Sequence, residues 1–296
     1  MEKSLYHQWE MRGENTYFPC FETTKGLPAG VYEIKNNKHL GIYLQQQDIM
    51  TENIVEIPVP EVESILEDIK NFWSKREEYR QNNMVYKRGV LLFGSAGTGK
   101  SYIIQRLIKH VIEEKNGIAI SLATAQDIDY YVAFAPAVLR AIEVDRPVII
   151  VLEEIDELLG SKAFYDTTSK LLSVLDGLKQ LNGGTLYLAT TNSIGKLNDA
   201  FKNRPGRFDL KRRIGLPSDE VRLHFLKSKL SEEQQQKYNL QKWVDDSQQF
   251  SLAHLKELIV SVAIMNQDYE KTICNLKAMS EKDTLDDNYQ IGKIGF

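Results

Sequence analysis

A glycine-rich segment about a third of the way along the chain has the residue types and spacing that phosphate binding requires. Its sequence, Gly94-Ser-Ala-Gly-Thr-Gly-Lys-Ser101, fits the pattern G-x-x-x-x-G-K-[ST]. Glycines let successive backbone N–H groups point at phosphate oxygens, and a helix that follows adds its positive N-terminal end. The lysine would reach the β- and γ-phosphates, and the serine hydroxyl would bind Mg²⁺. The predicted nucleotide contacts are Gly94, Ser95, Ala96, Gly97, Thr98, Gly99, Lys100 and Ser101; the alternative is a glycine-rich turn without a ligand.

Two carboxylates and an amide follow two apolar runs further along the chain. Glu153 and Glu154 come directly after Val148–Leu152, and Asn192 follows the run 185–189. Ligands of open α/β sheets bind at strand ends, so we assign Glu153 to the metal and Glu154 to the attacking water. Asn192 could bond the γ-phosphate or that water without adding charge. Taken singly, such residues are also common as solvated loop residues and helix caps.

These side chains can meet only if the apolar runs are neighbouring strands. The runs 88–93, 117–122, Val148–Leu152 and 185–189 alternate with helical spacing, which predicts parallel strands joined by crossover helices. After Pro217 only helical spacing remains. We therefore predict an α/β fold, with a parallel sheet and flanking helices. Residues 1–56 would form a small N-terminal module with a β-hairpin at 30–44. Residues 57–217 would form a large α/β subdomain that carries the phosphate loop, and residues 218–296 a helical lid.

The composition is that of a globular protein, with 42% hydrophobic and 26% charged residues among 296. A net charge of −4 gives no overall attraction to nucleic acid or to an anionic membrane. Cys20 and Cys274 match no metal-ligand or disulfide spacing. Neither a signal peptide nor an apolar stretch long enough to cross a bilayer is present, so we expect a cytoplasmic protein without a membrane anchor.

From about residue 61 to 279 the chain resembles an AAA-type ATPase of the AAA+ superfamily. The phosphate loop matches the Walker A motif, Leu152-Glu-Glu-Ile-Asp156 resembles Walker B, and Asn192 holds the place of sensor 1. Arg204-Pro-Gly-Arg-Phe-Asp209 resembles the end of the second region of homology, where the family's arginine fingers lie. The resemblance implies a P-loop NTPase fold, ATP hydrolysis with Mg²⁺, and a ring, usually a hexamer. Arg204 and Arg207 would then act on the neighbouring subunit's nucleotide, unless they form ordinary surface ion pairs.

The chain also departs from the family pattern. Glu153 stands where Walker B usually has Asp. The Walker B segment with this glutamate, and the segment Tyr86-Lys-Arg-Gly89 before the phosphate loop, resemble the branch of the mitochondrial Rieske-protein translocase. The lid segment 250–256 has no arginine at the place of sensor 2. The resemblance further places a central-pore loop at Tyr131 and Val132, where Ala133 replaces the usual glycine. Adjacent tyrosines on a helix are, alternatively, packing residues.

We consider three functions on these grounds. The first is a ring motor that remodels, unfolds or disassembles a polypeptide through a central pore; its substrate is not identified by the sequence. The second is a nucleic-acid motor or loader, which would use the basic residues 202–213 but is disfavoured by the net negative charge. The third is a nucleotide-switched scaffold with negligible turnover, suggested by Glu153 alone.

Overall fold

The computed structural model describes residues 8–11, 17–20, 23–39, 41–47, 60–139, 142–143, 145–159, 165–176, 184–197, 199–202 and 206–291. The prediction for Arg204 lies outside the described residues. Within them, no helix is both long enough and apolar enough to cross a membrane.

A seven-stranded sheet forms the centre of the molecule, in the order β4-β3-β6-β7-β8-β5-β9. All neighbouring pairs are parallel except β3 and β4, which form an antiparallel hairpin. Among the residues described, two further strands, β1 and β2, form a separate antiparallel pair. The strands are β1 (Gln8–Met11), β2 (Tyr17–Cys20), β3 (Gly30–Asn37), β4 (Gly41–Gln47), β5 (Lys87–Phe93), β6 (Ile118–Ser121), β7 (Val148–Leu152), β8 (Thr185–Thr191) and β9 (Leu210–Arg213).

Helices cover both faces of this sheet, which explains why its central strands appear in the sequence as unbroken apolar runs. Side chains alternate along β5: Leu91 belongs to the core beneath α4 and α6, whereas Val90 and Leu92 belong to the core beneath α1 and α3. The helices of this part are α1 (Pro60–Ser74), α2 (Arg76–Gln81), α3 (Lys100–Lys115), α4 (Ala125–Phe134), α5 (Ile155–Leu159), α6 (Tyr165–Leu175) and α7 (Asp199–Lys202).

The C-terminal part is helical and has a core of its own. Phe225, Trp243, Phe250 and Leu255 are among its buried side chains. Serines and an asparagine cap several of these helices; Ser218, for example, accepts a hydrogen bond from the N–H of Val221. The helices are α8 (Asp219–Lys229), α9 (Glu232–Lys237), α10 (Leu240–Asp246), α11 (Leu252–Leu258) and α12 (Tyr269–Ile291).

The α/β architecture predicted from the sequence is confirmed, with two differences at the sheet edges. The hairpin expected in a separate N-terminal module extends the main sheet. Its strand β3 runs parallel to β6, with Gly30 beside Ile118 and Glu33 beside Ser121. The short strand β9, which was not predicted, forms the other edge beside β5. The hairpin lies before residue 56 in the sequence but shares a sheet with strands that come after it; the bounds 1–56, 57–217 and 218–296 stay a prediction.

Gly89 on β5 provides a test of how β5 and the segment before β9 fit together. A Cβ atom on Gly89 would lie 1.8 Å from the backbone oxygen of Arg207 and 2.9 Å from Cα of Phe208. Because neither backbone atom can rotate away, we expect Gly89→Ala to destabilise the protein by at least about 3 kcal/mol, the upper part of the overpacking range. Thermal or urea unfolding measures this change. Gly215→Ala is the matched control, since nothing lies within 4 Å of its Cβ position; equal stability of the two variants would contradict the packing described here.

Candidate active site

The glycine-rich loop connects the end of β5 to the start of α3, as the sequence predicts for a phosphate loop. Gly97 and Gly99 have φ angles of 74° and 106°, which L side chains rarely adopt. The loop curls because of these two left-handed positions. Its last residues then enter helix α3, whose N-terminal end adds a positive partial charge at the loop.

The ammonium group of Lys100 lies inside the curve of this loop. Its ammonium group donates hydrogen bonds to the backbone oxygens of Gly94, at 2.6 Å, and Ser95, at 2.7 Å. The residue is buried at 7% exposure. A positive charge fixed at this place suits the β- and γ-phosphates of a nucleotide, as predicted for a Walker A lysine.

Ser101 and Glu153 meet at the mouth of the loop. The Ser101 hydroxyl donates a hydrogen bond of 2.8 Å to Oε2 of Glu153, and both residues are exposed. Hydroxyl and carboxylate oxygens are the hard ligands that Mg²⁺ prefers, and Mg²⁺ usually takes only one or two of them from the protein. The pair therefore fits a magnesium site, and the longer Glu153 side chain reaches the serine.

Glu154 and Asn192 form a second pair beside the first. Nδ2 of Asn192 donates to Oε1 of Glu154 at 3.1 Å, and the Glu154 backbone N–H donates to Oγ1 of Thr190 at 3.0 Å. The φ angle of Glu154 is 51°, in the left-handed region. Thr190, which the sequence analysis does not single out, thus holds the backbone of the candidate base. The exposed Glu154 carboxylate can accept a proton from water.

The lid contacts the phosphate loop directly. The N–H of Ala253 donates to the oxygen of Gly97 at 3.3 Å, and a Cβ on Gly97 would lie 2.8 Å from Oγ of Ser251. Leu252 approaches Gly99 in the same way, at 3.0 Å from its Cβ position. The start of α11 is thus the part of the lid that faces the candidate nucleotide site.

Arg207 does not have the environment that the sequence analysis predicted for a residue facing a neighbouring subunit. Its guanidinium donates to both carboxylate oxygens of Asp176, at 2.6 and 2.7 Å, and to the oxygen of Ala200 at 2.6 Å. The side chain is 3% exposed, and the hydrogen bond to Asp176 raises the pKa of Arg207. These bonds are inside its own subunit, so the assignment of Arg207 as a finger in trans is corrected to a buried structural ion pair.

Tyr131 and Val132 also lie elsewhere than predicted. They are 1% and 4% exposed, within the core between α4 and the sheet. The Tyr131 hydroxyl lies 3.3 Å from that of Tyr187 on β8. This burial contradicts the prediction that the two side chains line a pore, and it agrees with the packing alternative.

Comparison with known proteins supports the chemistry of this site. Residues 90–216 match the family described as ATPase family associated with various cellular activities (AAA). An ATP-dependent zinc metalloprotease FtsH 2 from Thermoanaerobacter sp. (strain X514) is 30% identical over 59% of this chain and 36% of its own length. A proteasome-activating nucleotidase from Saccharolobus islandicus (strain M.14.25 / Kamchatka #1) is 29% identical over 76% of this chain and 63% of its own.

A vesicle-fusing ATPase from Caenorhabditis elegans is 30% identical over 51% of this chain and 20% of its own length. The chain thus spans less than two thirds of the length of each of these three relatives. The resemblance to the Rieske-translocase branch stays a prediction.

The pairing of Glu154 with Asn192 predicts a selective loss of hydrolysis when the carboxylate is neutralised. Glu154→Gln keeps the size of the side chain but cannot accept a proton, so we expect turnover to fall about a hundredfold or more while ATP binding is retained. Steady-state ATPase rates and nucleotide binding by fluorescence measure the two effects. Glu157→Gln, an exposed glutamate on helix α5 directly after Glu154, should leave both unchanged; normal turnover of Glu154→Gln would contradict the assignment of the base.

The burial of Arg207 predicts a loss of stability when this side chain is truncated. Arg207→Ala removes the two hydrogen bonds that the guanidinium donates to the Asp176 carboxylate and should cost about 3–5 kcal/mol in unfolding free energy, measured without nucleotide. Adding Asp176→Ala should cost less than the sum of the two single changes. Arg213→Ala, an exposed cation on β9, should change stability by less than about 0.5 kcal/mol. Wild-type stability of Arg207→Ala together with lost ATPase activity would restore its role as a finger.

Proposed function

We propose, from the match of residues 90–216 to the AAA family of ATPases, that the protein hydrolyses ATP and uses the energy to remodel other proteins. The observation that carries the proposal is the meeting of two polar pairs beside the phosphate loop. Ser101 bonds Glu153 at 2.8 Å, and Asn192 bonds Glu154 at 3.1 Å. A loop that only turned the chain would not need both pairs at its mouth.

Each group of the site has a distinct role in this proposal. The backbone N–H groups of the loop and the Lys100 ammonium bind the phosphates and stabilise the negative charge that develops on them. Glu154 orients the attacking water and accepts its proton, while Asn192 fixes the direction of the Glu154 carboxylate. Mg²⁺, held by Ser101 and Glu153, would neutralise phosphate charge. Thr190 acts on the reaction only through the backbone of Glu154.

We further propose that the active form is a ring of identical subunits, as the family resemblance implies. The guanidinium of Arg207 is bonded within its own subunit. The role of a finger in trans therefore falls to Arg204 in this proposal. Hexameric assembly and a cytoplasmic location remain predictions from the sequence.

The proposed substrate class is protein rather than nucleic acid. The name of one relative refers to a metalloprotease and that of another to activation of the proteasome, which supports protein as the material acted upon. The net charge of −4 disfavours a nucleic-acid partner. The predicted pore tyrosine gives no support, since Tyr131 is in the core, and passage through a central pore is therefore not part of this proposal.

A comparison of ATPase stimulation by different macromolecules tests the substrate class. We expect the unfolded protein casein to raise the ATPase rate of the wild-type chain at least twofold, whereas single-stranded DNA should leave it unchanged. Coupled phosphate release measures the rates, and Glu154→Gln provides the background. Stimulation by DNA alone would favour the nucleic-acid motor, and a negligible rate under all conditions would favour the nucleotide-switched scaffold.

The dependence of the rate on protein concentration tests ring formation in the same assay. Hydrolysis per chain should rise with concentration if subunits complete each other's sites. Full activity in a solution shown by sedimentation to be monomeric would contradict the trans arrangement, without affecting the assignment of Glu154.

A further inference from the structure

The edge strand β4 lacks the features that normally protect the edge of a sheet. Its sequence, Gly41-Ile-Tyr-Leu-Gln-Gln-Gln47, contains neither a charged residue nor a proline over seven residues. In the described part of the chain it pairs on one side only, with β3. Natural edge strands are usually short, charged or covered, because unpaired N–H and C=O groups invite another strand.

The strand at the opposite edge of the same sheet, β9, has features that disfavour pairing with a further strand. β9 is four residues long, Leu210-Lys-Arg-Arg213, and three of the four are basic. A strand that added beside β9 would meet a row of positive charges. Of the two edges of the described sheet, β4 is therefore the one that a further uncharged strand can approach without meeting charged side chains.

An apolar pocket lies beside β4, on the face that carries α4. Its volume is about 170 Å³. Leu44 of β4 lines it, together with Phe134, and Val138 and Ile142 lie at its rim with exposures of 39% and 59%. Large apolar side chains that remain exposed around a pocket are typical of binding sites.

The apolar core between α4 and the sheet extends as far as β4 and is incompletely covered there. Ile42 and Leu44 point at the core between α4 and the sheet, but they are only partly buried there. Tyr43 and Gln45 lie on the other face and are exposed. One more strand with apolar residues on the α4 side and polar residues on the other would continue this pattern.

We propose that β4 binds an extended, uncharged segment of another protein as an additional strand, with an apolar side chain of that segment in the adjacent pocket. Backbone hydrogen bonds would give affinity, and the pocket would select the side chain. A second copy of this chain is a poorer occupant, because the apolar residues of its own β4, Ile42 and Leu44, already pack on its own core. This binding goes beyond ATP hydrolysis and does not require it.

Binding of defined peptides tests the proposal on the full chain. The probe is a fluorescein-labelled seven-residue peptide of alternating threonine and leucine, measured by fluorescence anisotropy without nucleotide. We expect saturable binding that weakens at least tenfold when the amides of alternate residues are N-methylated on the pairing edge. A peptide in which aspartate replaces the leucines should also bind at least tenfold more weakly. Equal binding of all three peptides would overturn the proposal.

Two variants and two matched controls locate the site. Ile142→Asp changes the pocket rim, and Gln45→Lys places a charge on the exposed face of β4; each should weaken peptide binding at least tenfold. Ile264→Asp and Gln267→Lys are the controls, because Ile264 is 61% exposed and Gln267 is also exposed, both on the lid. Unchanged melting temperatures show that the variants fold.

Unaltered peptide binding by Ile142→Asp would overturn the pocket assignment. Self-association that Gln45→Lys abolishes, with no binding of any peptide, would identify a second copy as the occupant instead and overturn our choice. Since all measurements are made without ATP, a failure of ATP hydrolysis would leave their outcome unaffected.

Discussion

The register of three neighbouring parallel strands is the constraint on which the candidate active site depends. β8 lies between β7 and β5, with Leu152 beside Ala189 and Phe93 beside Thr191. In this register the chain leaves all three strands at one edge, where the phosphate loop, the two glutamates and Asn192 emerge together. A slip by one residue would turn each side chain of a strand to the opposite face. Both faces are buried along the whole of β7, so after such a slip each side chain would enter a closely packed space that is filled by a side chain of another shape.

A second constraint acts on Glu154 alone. The described non-glycine residues with positive φ are Asn83, Asn116, Asn266 and Glu154. Asparagine tolerates this conformation, whereas for glutamate it costs on the order of 1–3 kcal/mol and persists only where surrounding bonds impose it. Those bonds are present: Thr190 accepts from the Glu154 N–H, and the Glu154 oxygen accepts from the N–H groups of Glu157 and Leu158. The strained backbone directs the carboxylate to Asn192 while leaving it in contact with water.

The sequence predicts those parts of this architecture that depend on local pattern. Strands buried on both faces leave unbroken apolar runs, and the phosphate loop carries its own glycines and lysine, so both were found. β9 was not, because an edge strand needs little burial and Lys211, Arg212 and Arg213 conceal it. The pairing of Gly30 with Ile118 joins segments nearly ninety residues apart and leaves no local signal. Nor could the sequence show that Thr190 holds Glu154, since a strand-end threonine has many possible partners.

The two corrected site residues show why a motif does not determine which atoms a side chain meets. Arg207 stands within a recognisable motif, yet its guanidinium bonds Asp176, which directly follows α6 and lies 31 residues earlier in the chain. For Tyr131 a local signal did exist. Ile128, Tyr131, Val132 and Ala135 follow one another at spacings of three, one and three residues, and all four are buried. This is the apolar stripe of a helix packed on a sheet, and it continues from α4 into the π-helical segment Ala135–Leu139. That spacing, more than resemblance to a pore loop, decides where the tyrosine lies.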